Sequence, residues 1–182
     1  MKTRRLPPFL EEDELWAFLG AAQRSGARDY ALMLLMSHAG LRVSEAVSVR
    51  WRDLTRDHLR VEKGKGGKER LVPMHPRLWE ALDALRFTGL LGSGYVFGGR
   101  HRGHVTRRAV QYLVERLGVE AGLDREKSHP HALRHTFAVR LLERGVDLRS
   151  IQMLLGHASL NTTSMYLQLT TRHLRSAVER LD

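Results

Sequence analysis

The stretch from Ser128 to Tyr166, SHPHALRHTFAVRLLERGVDLRSIQMLLGHASLNTTSMY, restricts the fold more than any other part of the chain. His131 and Arg134 stand three residues apart at the start of a helix, so both side chains leave nearly the same face. A second short helix ends at Gly156, a residue type that closes helices in the left-handed conformation, and His157 follows directly. Tyr166 comes nine residues later, after the turn and capping residues Ser159, Asn161 and Thr162. These intervals suit two histidines, an arginine and a tyrosine that all reach one phosphate. The chain upstream then serves as scaffold and supplies two further cations.

A chain of 182 residues can bury one full core, and 42% hydrophobic residues is ordinary for a globular domain. Its 30 Lys and Arg against 20 Asp and Glu give a net charge of +10, spread from Arg4 to Arg180 rather than gathered in a tail. Such a balance points to a polyanionic partner, and the preference for arginine, which grips phosphate with a planar fork, favours nucleic acid over a membrane. The absence of cysteine removes disulfides, thiolate nucleophiles and cysteine-bound zinc. The start, MKTRRLPPFLEEDE, has no apolar core of secretory length, and the apolar run Tyr30 to Met36 is far too short for a bilayer. A soluble cytoplasmic protein is expected.

Helical periodicity predicts helices over Glu11–Ala22, Ala27–His38, a short one from Arg42 to about Val49, Pro76–Arg86, Thr106 to about Ala121, and Thr171–Leu181. In the first of these Leu15, Phe18 and Leu19 form the apolar stripe, and in Pro76–Arg86 Trp79, Leu82 and Leu85 face inward. Leu59–Glu62 and Glu69–Val72 alternate around Gly66-Gly67 as a β-hairpin with a lysine-rich tip. Tyr95–Phe97 is expected to be a third strand. The fold class is therefore α+β, mostly α-helical with a small antiparallel sheet, in a single domain over residues 1–182.

Cutting a phosphodiester without a metal requires a nucleophile, positive charge for the non-bridging oxygens, and a proton for the leaving oxygen. Tyr166 can be the nucleophile, since a cluster of cations favours the phenolate of a group whose ordinary pKa is about 10. Arg134 can hold the phosphate with its fork, and His131 can donate to it or move a proton. Arg42, after a glycine break at a helix start, is a second clamp, and Lys65 at the hairpin tip can act as acid on the leaving oxygen. Each residue also has a plainer reading: Tyr166 as packing, the His-x-x-Arg pair as a cap, Arg42 and Lys65 as solvated surface. His131 and His135 have zinc-ligand spacing, but no third ligand follows, so no metal is expected.

Taken together, in the order Arg, Lys, His-x-x-Arg, His, Tyr, these residues closely resemble the tyrosine recombinase (phage integrase) family, and within it the Xer-type recombinases. The matching segments are AGLRVSE (39–45), EKGKGGKERLVP (62–73), SHPHALRHTFA (128–138), LLERGVDLRSIQMLLGHASLNTT (141–163) and Tyr166. The resemblance implies the tyrosine recombinase catalytic-domain fold and site-specific DNA recombination. In it, Arg42, Arg134, His131 and His157 hold the scissile phosphate, Lys65 protonates the departing 5′ oxygen, and Tyr166 becomes linked to the 3′ phosphate. Glu45 would support the first arginine from behind. Lys68, Arg70, Arg100, Arg102 and Arg107 are expected to contact DNA. No cofactor is implied, and the partners are double-stranded DNA and further subunits, in a homo- or hetero-tetramer joined through residues 171–181.

Leu167-Gln168 replaces the Thr-His that commonly follows the family's nucleophile. Leu6–Leu10 resembles the start of the catalytic domain itself, so the helical DNA-clamping domain of Xer-type enzymes is expected to be absent. Weak binding with a steep salt dependence would follow. Two other functions fit the same residues: a DNA-binding module without turnover, and strand relaxation of the type IB topoisomerase kind.

Overall fold

The computed structural model describes residues 7–62, 69–86, 94–98 and 103–156. Its elements in order are α1 (Glu12–Ser25), α2 (Ala27–His38), α3 (Val43–Val47), β1 (His58–Val61), β2 (Arg70–Pro73), α4 (Pro76–Arg86), α5 (Arg107–Glu120), α6 (Pro130–Glu143) and α7 (Leu148–Leu155).

Helix α2 is the centre of the molecule. Its residues from Ala31 to Ser37 are all buried, so no polar face is left for water, and α1, α4 and α6 pack around it. A helix that is apolar on every side is stable only when enclosed in this way. Helix α1 contributes Leu15, Phe18, Leu19 and Ala22 to the same core, and its start is held by the Glu14 carboxylate accepting from the Glu11 N–H at 2.8 Å. Thr106 caps α5 by accepting from the Ala109 N–H at 3.1 Å, and Val110, Val114 and Leu117 turn inward. In α4 the buried stripe is Leu78, Leu82 and Leu85, while Trp79 lies only partly buried beneath the Arg86 guanidinium, 5.4 Å from its ring centre.

The sheet is one antiparallel pair, with Leu59 opposite Val72 and Val61 opposite Arg70. Tyr95–Phe97 does not extend it. Tyr95 forms one isolated bridge to Arg50, and the Val96 N–H donates to Val49 O at 2.9 Å. Val96 and Phe97 are both buried in succession, which the alternating faces of a half-buried strand do not allow. Among the described residues, no helix is long and apolar enough to cross a membrane. The expected final helix 171–181 lies outside the described residues.

Two long-range ties hold the start of the described chain, one to α6 and one to the turn that precedes it. The Leu10 N–H donates to Thr136 Oγ1 at 2.8 Å, and Lys127 reaches the Glu14 carboxylate at 2.6 Å. A third constraint sits between α2 and α3. Gly40 has φ +62°, and a Cβ there would fall on the ring of Phe137 in α6. Gly40→Ala should therefore cost about 2 kcal/mol or more, from left-handed strain plus the clash. Thermal unfolding checks this: a Tm unchanged within a degree would mean that the ring yields freely.

Candidate active site

Each of the three segments that carry candidate residues is positioned by its own local rule. Arg42 caps α3, with its N–H donating to Glu45 Oε2 at 2.8 Å. At the start of α6, His129 Nδ1 accepts from the Ala132 N–H at 3.2 Å and Pro130 fills the first turn, where its missing N–H costs nothing. His131 is thus left exposed on the first turn, with Arg134 buried one turn later. Helix α7 is capped by Asp147 at its start and closes on Gly156 in the left-handed conformation, φ 62°.

The three segments meet at the C-terminal end of α7. Its last carbonyls have no partner within the helix, and three arginines from distant parts of the chain supply donors. Arg70 Nε donates to Leu154 O at 2.7 Å, Arg134 Nη2 to Leu155 O, and Arg42 Nη2 to Gly156 O at 3.5 Å. Arg134 Nη1 also donates to Gly40 O at 2.6 Å, which fixes the α2–α3 break against α6.

One carboxylate stands among these cations. Arg70 grips Glu45 with both ends of its fork, each at 2.9 Å. Arg42 Nη1 reaches Glu45 Oε1 at 3.2 Å, and Arg134 Nη1 lies 3.8 Å from Oε2. Burial alone would push the Glu45 pKa upward. The Arg70 hydrogen bonds, the Arg42 N–H and the charges of Arg70 and Arg134 outweigh that and hold it below the ordinary carboxylate value. Among the described residues, the three guanidinium groups and one carboxylate of this cluster sum to a charge of +2. The side chains of Arg134, Arg70 and Glu45 are 5%, 9% and 10% exposed, against 35% for Arg42. Arg42 is thus the member of this group that solution reaches.

A cleft of about 810 Å³ opens beside this cluster. It is lined by Val43 next to Arg42, by Arg107, Arg108 and Tyr112 of α5, and by His129 and His131 of α6. Burial, together with the nearby His131, lowers the His129 pKa. His135, half-buried, is pushed down to about 4 by burial and by its neighbours His131, His129 and Arg134. It stays neutral at pH 7. Among the described residues, no three His, Asp or Glu side chains come together as a metal site.

The structure thus brings Arg42, Glu45, Arg134 and the start of α6 with His131 into one region, with Arg107 along the neighbouring cleft. Lys65, Lys68, Arg100, Arg102, His157 and Tyr166 lie outside the described residues. Arg70 corrects an expectation. Instead of facing DNA, it turns inward and spends its fork on Glu45 and its Nε on α7. Strand alternation carried that signal: Arg70 shares a face with Val72, which is 1% exposed, while Leu71 between them is 58% exposed. Arg108 and Tyr112 escaped the sequence reading. Their spacing of four on the exposed face of α5, where Arg108 donates to the Tyr112 hydroxyl at 2.9 Å, is the trace that marks them.

Residues 8–173 match the Phage integrase family, and the chain belongs to that family. It is 40% identical over 182 residues to tyrosine recombinase XerA of Pyrococcus horikoshii, covering 97% of this chain and 62% of that protein. It is 42% identical over 175 residues to tyrosine recombinase XerC of Xanthomonas campestris pv. campestris, covering 94% of this chain and 54% of the relative. The crystal structure of the XerH site-specific recombinase bound to its difH substrate before cleavage superposes with a TM-score of 0.82 at 30% identity. That match covers 100% of this chain and 56% of the other. The fold is that of a tyrosine recombinase catalytic domain. The chain spans between 54% and 62% of the length of these two curated relatives.

Glu45 holds the cluster together, so its removal has a defined pH signature. Glu45→Gln should cost about 3 kcal/mol near neutrality, because buried arginines lose their counter-charge. A carboxylate whose folded pKa is lowered contributes fully above its ordinary value of 4.5 and loses that contribution as pH falls through the folded value. Urea unfolding across pH should show a constant gap between wild type and variant from pH 8 to about 5, closing below about 4.5. A gap that widens on acidification would contradict the assignment.

Proposed function

We propose that the chain breaks and rejoins DNA strands at specific sites through a covalent 3′-phosphotyrosine intermediate. The observation that carries this reading is the cluster at the end of α7: three guanidinium groups around one carboxylate among the described residues, Arg42 one-third exposed to solution, and His131 alongside. In this arrangement the scissile phosphate lies against Arg42, Arg134, His131 and His157, whose donors neutralise charge on its non-bridging oxygens as the phosphorus becomes five-coordinate.

Tyr166 Oη forms the new bond to phosphorus and passes its proton to His131. The bond to the 5′ oxygen breaks, and Lys65 supplies the proton that this oxygen needs. The tyrosyl ester keeps the energy of the broken bond. A 5′ hydroxyl from a second DNA end then attacks the phosphorus, expels Tyr166, and completes the exchange. Arg107 and the α5 face beside His131 suit the flanking DNA, because their cleft is basic and open. Arg100, Arg102 and Lys68 belong to the same reading. On this view the protein works in the cytoplasm, in a tetramer on DNA joined through residues 171–181.

The test uses a library of nicked duplexes with randomised flanks. The nick lets the short 5′ end diffuse away and traps the intermediate. Wild type should give an SDS-resistant protein–DNA adduct, absent in Tyr166→Phe, and Arg134→Ala should slow adduct formation by about 10²–10³-fold. No adduct on any duplex, with binding retained, would favour a DNA-binding module instead. Relaxation of supercoiled plasmid without site preference would favour the topoisomerase reading. Deleting residues after Thr171 should leave the Tm unchanged and abolish multi-subunit complexes on the recovered duplex. Global unfolding on deletion would show that the tail packs within its own subunit.

A further inference from the structure

Arg70 has no part in the chemistry above, yet its Nε and both ends of its fork are bonded within the protein. It begins β2 directly after the hairpin segment that carries Lys65 in the sequence. Its fork closes on both oxygens of Glu45, 25 residues earlier, and its Nε holds Leu154 O, 84 residues later. The guanidinium also packs close against Gly156: a Cβ there would come within 2.9 Å of Arg70 Nη1 and 3.2 Å of Cδ. Glycine at 156 is therefore required twice, for its left-handed backbone and for the space that Arg70 occupies.

Two plainer roles fail on this geometry. A DNA contact would require Arg70 to release Glu45, because both ends of its fork are taken by that carboxylate and the side chain is 9% exposed. Space-filling alone does not call for a charge, because an apolar side chain of similar volume avoids the desolvation that a buried ion pair incurs. The feature peculiar to arginine is a planar fork that can hold a carboxylate with two donors while a third points elsewhere.

We infer that Arg70 is a positioning residue for strand cleavage, registering three separated parts of the site against one another. These are the start of β2, which follows Lys65 in the sequence, the Arg42–Glu45 turn, and the end of α7, which His157 follows in the sequence. The inference rests on the cleavage reading for its effect on rate, and on the fold alone for its effect on geometry. Lysine cannot replace arginine here, since one ammonium cannot span two carboxylate oxygens and a carbonyl in fixed directions.

The experiment compares wild type, Arg70→Lys and Arg70→Met at a temperature where all remain folded. Amide hydrogen exchange is read at the Arg42 N–H, which donates to Glu45, and at the Gly156 N–H, which donates to Met153 O. Both variants should exchange at least about tenfold faster at these two sites, with α1 and α2 unchanged. On the nicked duplex recovered from the library, single-turnover adduct formation at saturating protein should fall at least about 100-fold. The Kd for that duplex should stay within a factor of two.

Unchanged exchange at Arg42 and Gly156 would overturn the inference. So would a full cleavage rate in Arg70→Lys, or a loss confined to Kd with a reduced salt slope, which is the mark of a direct phosphate contact. Failure of wild type to form any adduct would sink the cleavage reading instead, while the exchange measurement still decides whether Arg70 fixes the site. If Arg70→Met does not fold, Arg70→Lys carries both readouts.

Discussion

A carboxylate buried among three guanidinium groups is the interaction on which the site depends. Without Glu45, Arg42, Arg70 and Arg134 would repel one another around the end of α7, where the uncapped carbonyls carry only partial negative charge. With it, their mutual repulsion is reduced and two of them are fixed in place. The remaining excess of positive charge is held in a partly dry setting, where it acts more strongly on a phosphate than it would in water. The cluster is thus set up before any substrate arrives, and little reorganisation remains for the moment of reaction.

The surrounding architecture follows from the need to deliver these groups from far apart in the chain. Helix α2, enclosed on every side, is followed by Gly40, whose carbonyl takes Arg134 and whose missing Cβ admits Phe137. That contact sets α6 against the α2–α3 break and aims both His131 and Arg134. The end of α7 is then held by donors from α3, β2 and α6 at three successive carbonyls. Arginines here do the work that a local cap does elsewhere, and they commit the glycine before His157 to one backbone conformation.

Much of this was legible in the sequence because it is local. The 3.6-residue period gave α2 and α4 at their observed bounds, Thr106 marked the start of α5, and Gly156 marked the end of α7. Glu45 was expected behind Arg42 from the family resemblance, and the three-residue spacing within one helical turn is compatible with that contact. The partners of Arg70 were not legible. Period two places it on the buried face with Val72, but charge argues for the outer face, and only the position of α7 and Glu45 decides between them. The arginine donors to α7 are non-local for the same reason, since no periodicity records which distant side chain will satisfy a helix end. Tyr95–Phe97 misled because β-forming residues in a row resemble a strand until their burial on both faces is known.

The central claim is that Glu45 immobilises the arginines before substrate binds. Side-chain ¹⁵N relaxation at the Nε of Arg70 and Arg134 tests this most directly, in the free protein and in Glu45→Gln. Order parameters near the rigid backbone value of about 0.85 are expected in wild type, falling below about 0.6 for Arg70 in the variant. Arg70 already below about 0.6 in wild type, or equally rigid without the carboxylate, would contradict it.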